Sequence, residues 1–73
     1  MNSQQLVRMA NDIANFFRSE PDRQDAVQGI AAHIQRFWEP RMRRQILEHV
    51  QHTGSELDEL VREALSHVSA PPA

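Results

Sequence analysis

Pro40 splits the richest stretch of this chain, I-A-A-H-I-Q-R-F-W-E-P-R-M-R-R-Q-I-L (Ile30 to Leu47), into two segments that no single regular helix can join. The residue before a proline avoids helical geometry, so a helix arriving from Ile30 must stop short of Pro40. Pro40 itself suits the first turn of a new helix, where its missing N–H has no partner to lose. Comparable interruptions stand at Glu20-Pro21-Asp22 and at Gly54. Between them apolar residues recur at helical spacing, and no stretch alternates as a strand would. The pattern predicts an all-α fold, a compact bundle of three to four short helices.

A first helix is expected from a Ser3 cap to about Ser19, with Leu6, Ala10, Ile13 and Phe17 as its central stripe. Met9 and Phe16 widen that stripe on one flank and Val7 and Ala14 on the other, to an arc of roughly 180°. Such an arc is wider than a lone packing stripe; the surplus is either core in a small bundle or a face for another subunit. Asp22 is a good N-cap for a second helix, and Asp25 adds favourable charge in its first turn. Ala26, Val27, Ile30, Ala31, Ile34, Phe37 and Trp38 line one side of it, with Phe37 continuing the Ala26–Ile30 row inward and Trp38 at the edge. Gly29, inside this helix, costs up to about 1 kcal/mol relative to Ala, so it is either tolerated or permits close approach of another backbone.

The third helix carries Met42, Ile46 and Val50, flanked by Leu47, and Gly54 is its natural left-handed C-cap. Ser55 is expected to open a fourth, with Asp58 placed for a capping-box contact and Leu57, Leu60, Val61, Ala64, Leu65 and Val68 on its apolar side. The closing S-A-P-P-A (Ser69 to Ala73) cannot continue a helix. One helical domain over residues 1–68 and a disordered tail over 69–73 are therefore expected.

Composition removes several function classes. At 73 residues the chain is near the lower limit for folding without staples. It has no cysteine, so it offers neither a disulfide nor a thiolate for zinc or an iron–sulfur cluster. No apolar run approaches the roughly 18 to 20 residues of a membrane span, and no basic-then-apolar leader is present, so a cytoplasmic protein is expected. Eight basic against ten acidic side chains, net −2, argue against nucleic-acid binding. All eight basic residues are arginine, which suits planar contacts with carboxylates; a GC-rich coding sequence produces the same bias.

Catalytic signals are missing as well. His49 and His52 stand one helical turn apart, but no Glu-x-x-His element supports them, and they read as a surface pair. Both glycines are isolated, so there is no phosphate-cradling loop. Glu56, Asp58, Glu59 and Glu63 read as the acidic start and solvated face of the last helix. No catalytic, cofactor-binding or metal-ligating residue is assigned.

What remains is association. Arg41, Arg43 and Arg44 fall at a helix start, where partial positive charge makes a cation unfavourable by a few tenths of a kcal/mol, roughly. A cluster that opposes a local rule points to a partner for it. Phe37, Trp38, Pro40 and Met42 beside three arginines have the composition of an interface centre. Trp38 is the expected anchor, Arg41, Arg43 and Arg44 the expected charged contacts, and Met9 and Phe16 secondary contacts. The competing reading makes Phe37 and Trp38 this domain's own core, with the arginines outside.

The same residues resemble a known family. L-V-R-M-A-N-D-I-A-N-F-F (Leu6 to Phe17), the Ile30–Leu47 stretch and L-V-R-E-A-L (Leu60 to Leu65) closely resemble the delta subunit of soluble, NAD-dependent, molybdenum-containing formate dehydrogenases. R-M-A-N and F-W-x-P-R-M-R-R are specific in combination. The resemblance implies an accessory subunit of a multi-subunit bacterial enzyme, with neither an active site nor a cofactor of its own. In such complexes the alpha subunit holds a bis-molybdopterin guanine dinucleotide and iron–sulfur clusters, and the beta and gamma subunits pass electrons to NAD.

Docking on the alpha subunit, in support of its assembly or stability, is the function this implies; acidic groups there would pair with the arginines. A homodimer in isolation is compatible with the surplus apolar surface. Two other readings are a transient maturation factor for cofactor insertion and a small helical nucleic-acid binder. Against the latter stand the negative net charge and a Glu39-Pro40 link shorter than the usual turn of about three to four residues.

Overall fold

Short polar side chains mark where helices begin, because each bonds a backbone donor that the first turn leaves free. A computed structural model describes residues 2–53 and 56–71. Over these residues it contains four helices and no strand: α1 Ser3–Phe17, α2 Arg23–Phe37, α3 Pro40–His52 and α4 Glu59–Leu65. The all-α bundle predicted from periodicity is the observed architecture. Helix α1 touches the other three, and α2 packs most extensively on α4.

Three of the starts follow local chemistry. Asp22 caps α2 by accepting from the Gln24 N–H at 2.8 Å, as expected. Pro40 occupies the first turn of α3, preceded by Glu39 in extended geometry (φ −63°, ψ 154°). For α1 the cap is Asn2 and not Ser3. The Asn2 side chain accepts from the Gln5 N–H at 2.8 Å, and Gln5 returns the contact to the Asn2 N–H in a capping box. Ser3, displaced into the helix, presents its Oγ to Gln45 Nε2 at 3.2 Å and so ties α1 to α3.

The fourth start departs from expectation for a tertiary reason. Helix α4 begins at Glu59, with Asp58 as the N-cap itself, accepting from the Leu60 N–H at 2.9 Å. Asn11, from the middle of α1, holds the preceding segment: its Oδ1 accepts from the Asp58 N–H at 2.9 Å and its Nδ2 donates to the Glu56 carbonyl at 3.1 Å. Leu57 and Val68, expected on the helix, flank it outside, yet both are buried. The proposed Ser55 cap and the Gly54 C-cap of α3 lie outside the described residues.

Leu6, Ile30, Ile34, Ile46 and Val61 are the largest fully buried side chains, so every helix contributes to one core. On α1 the surplus flank resolves in two directions. Val7 and Ala14 are buried in the bundle, Met9, Ile13 and Phe17 are partly buried against it, and Phe16 is left outside. Gly29 is approached by a ring and not by a backbone. A Cβ there would stand 2.4 Å from Phe17 Cε1 and 2.7 Å from Cδ1, so the Phe17 ring occupies the space a side chain would take. Arg18 pairs with Asp58 and Arg23 with Glu63 (3.0 Å), linking α1 and α2 to the start and middle of α4. The arginines and Glu63 are exposed and Asp58 is partly buried, and each pair is worth up to about 1 kcal/mol.

Two outcomes follow from these contacts. Gly29→Ala is expected to lower the unfolding midpoint, although helix propensity favours Ala by up to about 1 kcal/mol. In a Phe17→Ala background the same change is expected to be neutral or stabilising; a double-mutant cycle by urea titration reads the reversal of sign. The second concerns Asp58, whose carboxyl is held below its ordinary value, chiefly by the Arg18 guanidinium, then against a smaller opposing effect of burial. A lowered carboxylate contributes stability that is complete above its unfolded value near 3.8 and is lost as pH falls through the folded one. Asp58→Asn, which keeps a good cap, should therefore be less stable than the parent at pH 7, with the difference shrinking as pH falls below 3.8 and through the lowered folded value. Thermal unfolding across pH 2 to 7 reads the convergence.

Candidate functional site

The link between α2 and α3 is only Trp38 and Glu39, so the carbonyl end of one helix is delivered beside the N-terminus of the next. Phe37 is the last residue in helical geometry. Trp38 is extended (φ −84°, ψ 135°), its N–H still bonded to the Ile34 carbonyl at 3.0 Å. The indole lies in the core, where Trp38 is only 4% exposed. Phe37 stays on the helix and is 67% exposed. The expected roles of the pair are therefore reversed: Trp38 follows Ile34 at four-residue spacing and continues the buried Val27–Ala31–Ile34 row, whereas Phe37 follows His33 on its flank. Trp38 is core of this chain, and truncating it would cost about 3 to 5 kcal/mol of folding energy.

The three arginines separate just as sharply. Arg43 is half-buried, and its Nη1 donates to the Trp38 carbonyl at 2.6 Å and the Gln35 carbonyl at 3.2 Å. Its Nε donates to the Ser69 carbonyl at 2.8 Å. Gln35 Oε1 accepts from the Ser69 N–H at 2.9 Å, and Arg44 Nη1 reaches the Pro71 carbonyl at 3.2 Å. Arg44 thus turns to the chain beyond α4. Ser69 to Pro71 carry no helix, as their sequence requires, but their backbone is bonded to α2 and α3; Pro72 and Ala73 lie outside the described residues. Arg41 is exposed and makes no side-chain hydrogen bond or ion pair among the described residues. Of the expected docking cluster, only Arg41 is wholly available to another molecule.

A second surface emerges from the other expected contacts. Met9 is partly buried against the core, whereas Phe16 is 77% exposed and meets Phe17 edge-on, ring centroids 5.2 Å apart. Phe17 lies over Gly29, and Gly29, His33 and Phe37 follow one another at four-residue spacing on α2. His33 and Phe37 rings stand 4.8 Å apart, and the Arg36 guanidinium is 5.7 Å from the Phe37 centroid. Phe16 with Phe17, and His33 with Phe37, are thus two aromatic pairs set along the Gly29–His33–Phe37 row, which together make an aromatic ridge. Its sequence sign is the four-residue Gly-His-Phe row on α2, on the flank of the buried row that ends at Trp38.

Other titratable groups converge less. His49, expected at the surface, is mostly buried, with its Nε2 unpartnered and 3.9 Å from Glu56 Oε1. It borders an open groove with Ser3, Gln45, Glu48 and His52. Among the described residues no three histidines, cysteines or carboxylates are placed to hold a metal ion, and no helix is long and apolar enough to cross a membrane.

Residues 5–65 match the family of the NADH-dependent formate dehydrogenase delta subunit, FdsD. The chain belongs to that family. Comparison with curated proteins and with solved structures gives no significant match. As a delta subunit it has partner subunits by definition, and the matched span runs from the first turn of α1 to the end of α4, with Arg43 and the aromatic ridge inside it.

The corner carries its own test. Arg43→Met is expected to destabilise this delta subunit by about 2 kcal/mol, because it strips three carbonyls of a charged donor. Arg41→Ala should change stability by less than about 0.5 kcal/mol. Chemical denaturation of the two variants distinguishes a structural Arg43 from a solvated one, for which the two losses would be equal.

Proposed function

We propose that this chain is a non-catalytic accessory subunit that docks on the molybdenum-containing alpha subunit of a formate dehydrogenase and supports its assembly or stability. The observation that carries this reading is membership of the delta-subunit family over residues 5–65. The chemistry of the chain is consistent with it: there is no cysteine for a cluster, and the arginine corner is occupied in holding α2, α3 and the segment after α4 together.

A small preformed domain supports a larger one by mass action. Binding only the folded partner adds about 2.7 kcal/mol to its stability when the domain is present at 100 times its Kd. A rigid bundle suits that role, since little ordering is left to do on docking. Phe16 and Arg41 supply exposed contacts for it, Met9 a partly buried one. Trp38, Arg43 and Arg44 act by fixing the shape those contacts are presented on.

The test is to purify the enzyme from cells with and without this chain. Lower molybdenum content, lower formate-oxidising activity and faster thermal inactivation are expected without it, together with stoichiometric presence of the chain in the active complex. Equal metal loading, activity and heat resistance in its absence would remove the reading. Its presence on the apo alpha subunit alone would instead favour a transient maturation factor.

A further inference from the structure

Two of the three phenylalanines in this small chain are mostly exposed, and each belongs to one of the two aromatic pairs along the Gly29–Phe37 row. The row is held in place from below. Phe17 fills the space over Gly29, Phe16 stands edge-on against Phe17, and His33 supports Phe37 one turn further along α2. From Gly29 to Phe37 the crest runs about 12 Å. Rings fixed in this way lose little freedom on being covered.

We infer that this ridge is the delta subunit's docking element, inserted into an apolar groove of a different subunit that presents a carboxylate near Arg36. The inference rests on the chain being a resident subunit of the dehydrogenase complex and names the surface that reading requires. Shape selects a foreign groove over a second copy of the chain. Two convex ridges meet only along their crests, and the two exposed rings offer about 300 Å². A stable homodimer needs on the order of 800 Å² per partner. A groove instead encloses the flanks of α1 and α2 as well as the crest. Charge selects its rim: Arg36 lies 5.7 Å from the Phe37 ring and has no carboxylate partner among the described residues.

The experiment co-expresses the whole complex with an affinity tag on another subunit and measures how much of this chain is retained. Phe16→Ser with Phe37→Ser is expected to reduce retention by on the order of tenfold or more, with the isolated chain's unfolding midpoint unchanged. Arg36→Glu, which touches no buried group, is expected to weaken retention in the same direction. Retention of both variants at the parent level overturns the inference while leaving the resident-subunit reading intact. Conversion of a dimer of the isolated chain to a monomer, without loss of retention, overturns it in favour of a second copy. If the unaltered chain is itself not retained, the resident-subunit reading fails, and the ridge assignment fails with it.

Discussion

The guanidinium of Arg43 joins three separate parts of this chain. It bonds the carbonyls of Gln35 and Trp38 at the end of α2 and that of Ser69 beyond α4, from a position in the first turn of α3. Against α3 alone a cation at this position is unfavourable by a few tenths of a kcal/mol, roughly. The two-residue link reverses that balance, because it brings the negative end of α2 to the same place. Charge-assisted bonds to three carbonyls outweigh the repulsion from one helix terminus. The sign of a helix-end charge has to be judged for the corner, with both termini counted.

Trp38 depends on the same link. Extended geometry there ends α2, and the indole, one turn after Ile34 on the buried row, fills core next to helices that are too short to supply much of it. Phe37 remains on the surface, its ring tilted against that of His33. The two adjacent aromatic residues thus part at the edge of the buried row, and the exposed apolar surface lies with Phe37 and not with Trp38 at the Pro40 corner.

The fourth helix shows how a distant residue overrides a local signal. The run from Ser55 onward has the polar start and apolar spacing of a helix, and Asp58 stands where a capping partner would. Asn11 bonds the backbone at Glu56 and Asp58, and the helix starts only at Glu59. Leu57 and Val68 are still buried, as their spacing suggested, although neither lies in the helix. Burial was legible because apolar side chains must leave water; the boundary was not, because its hydrogen-bond partner is on α1.

By itself the sequence determined the class of fold, the breaks at Pro21 and Pro40, the Asp22 cap and the family, since periodicity, proline geometry and a specific residue pattern are local properties. Tertiary structure decided which aromatic residues face out, where α4 begins and what Arg43 is for. Each of those outcomes depends on which helix ends and side chains meet across the bundle, and such meetings are written in no single stretch of residues.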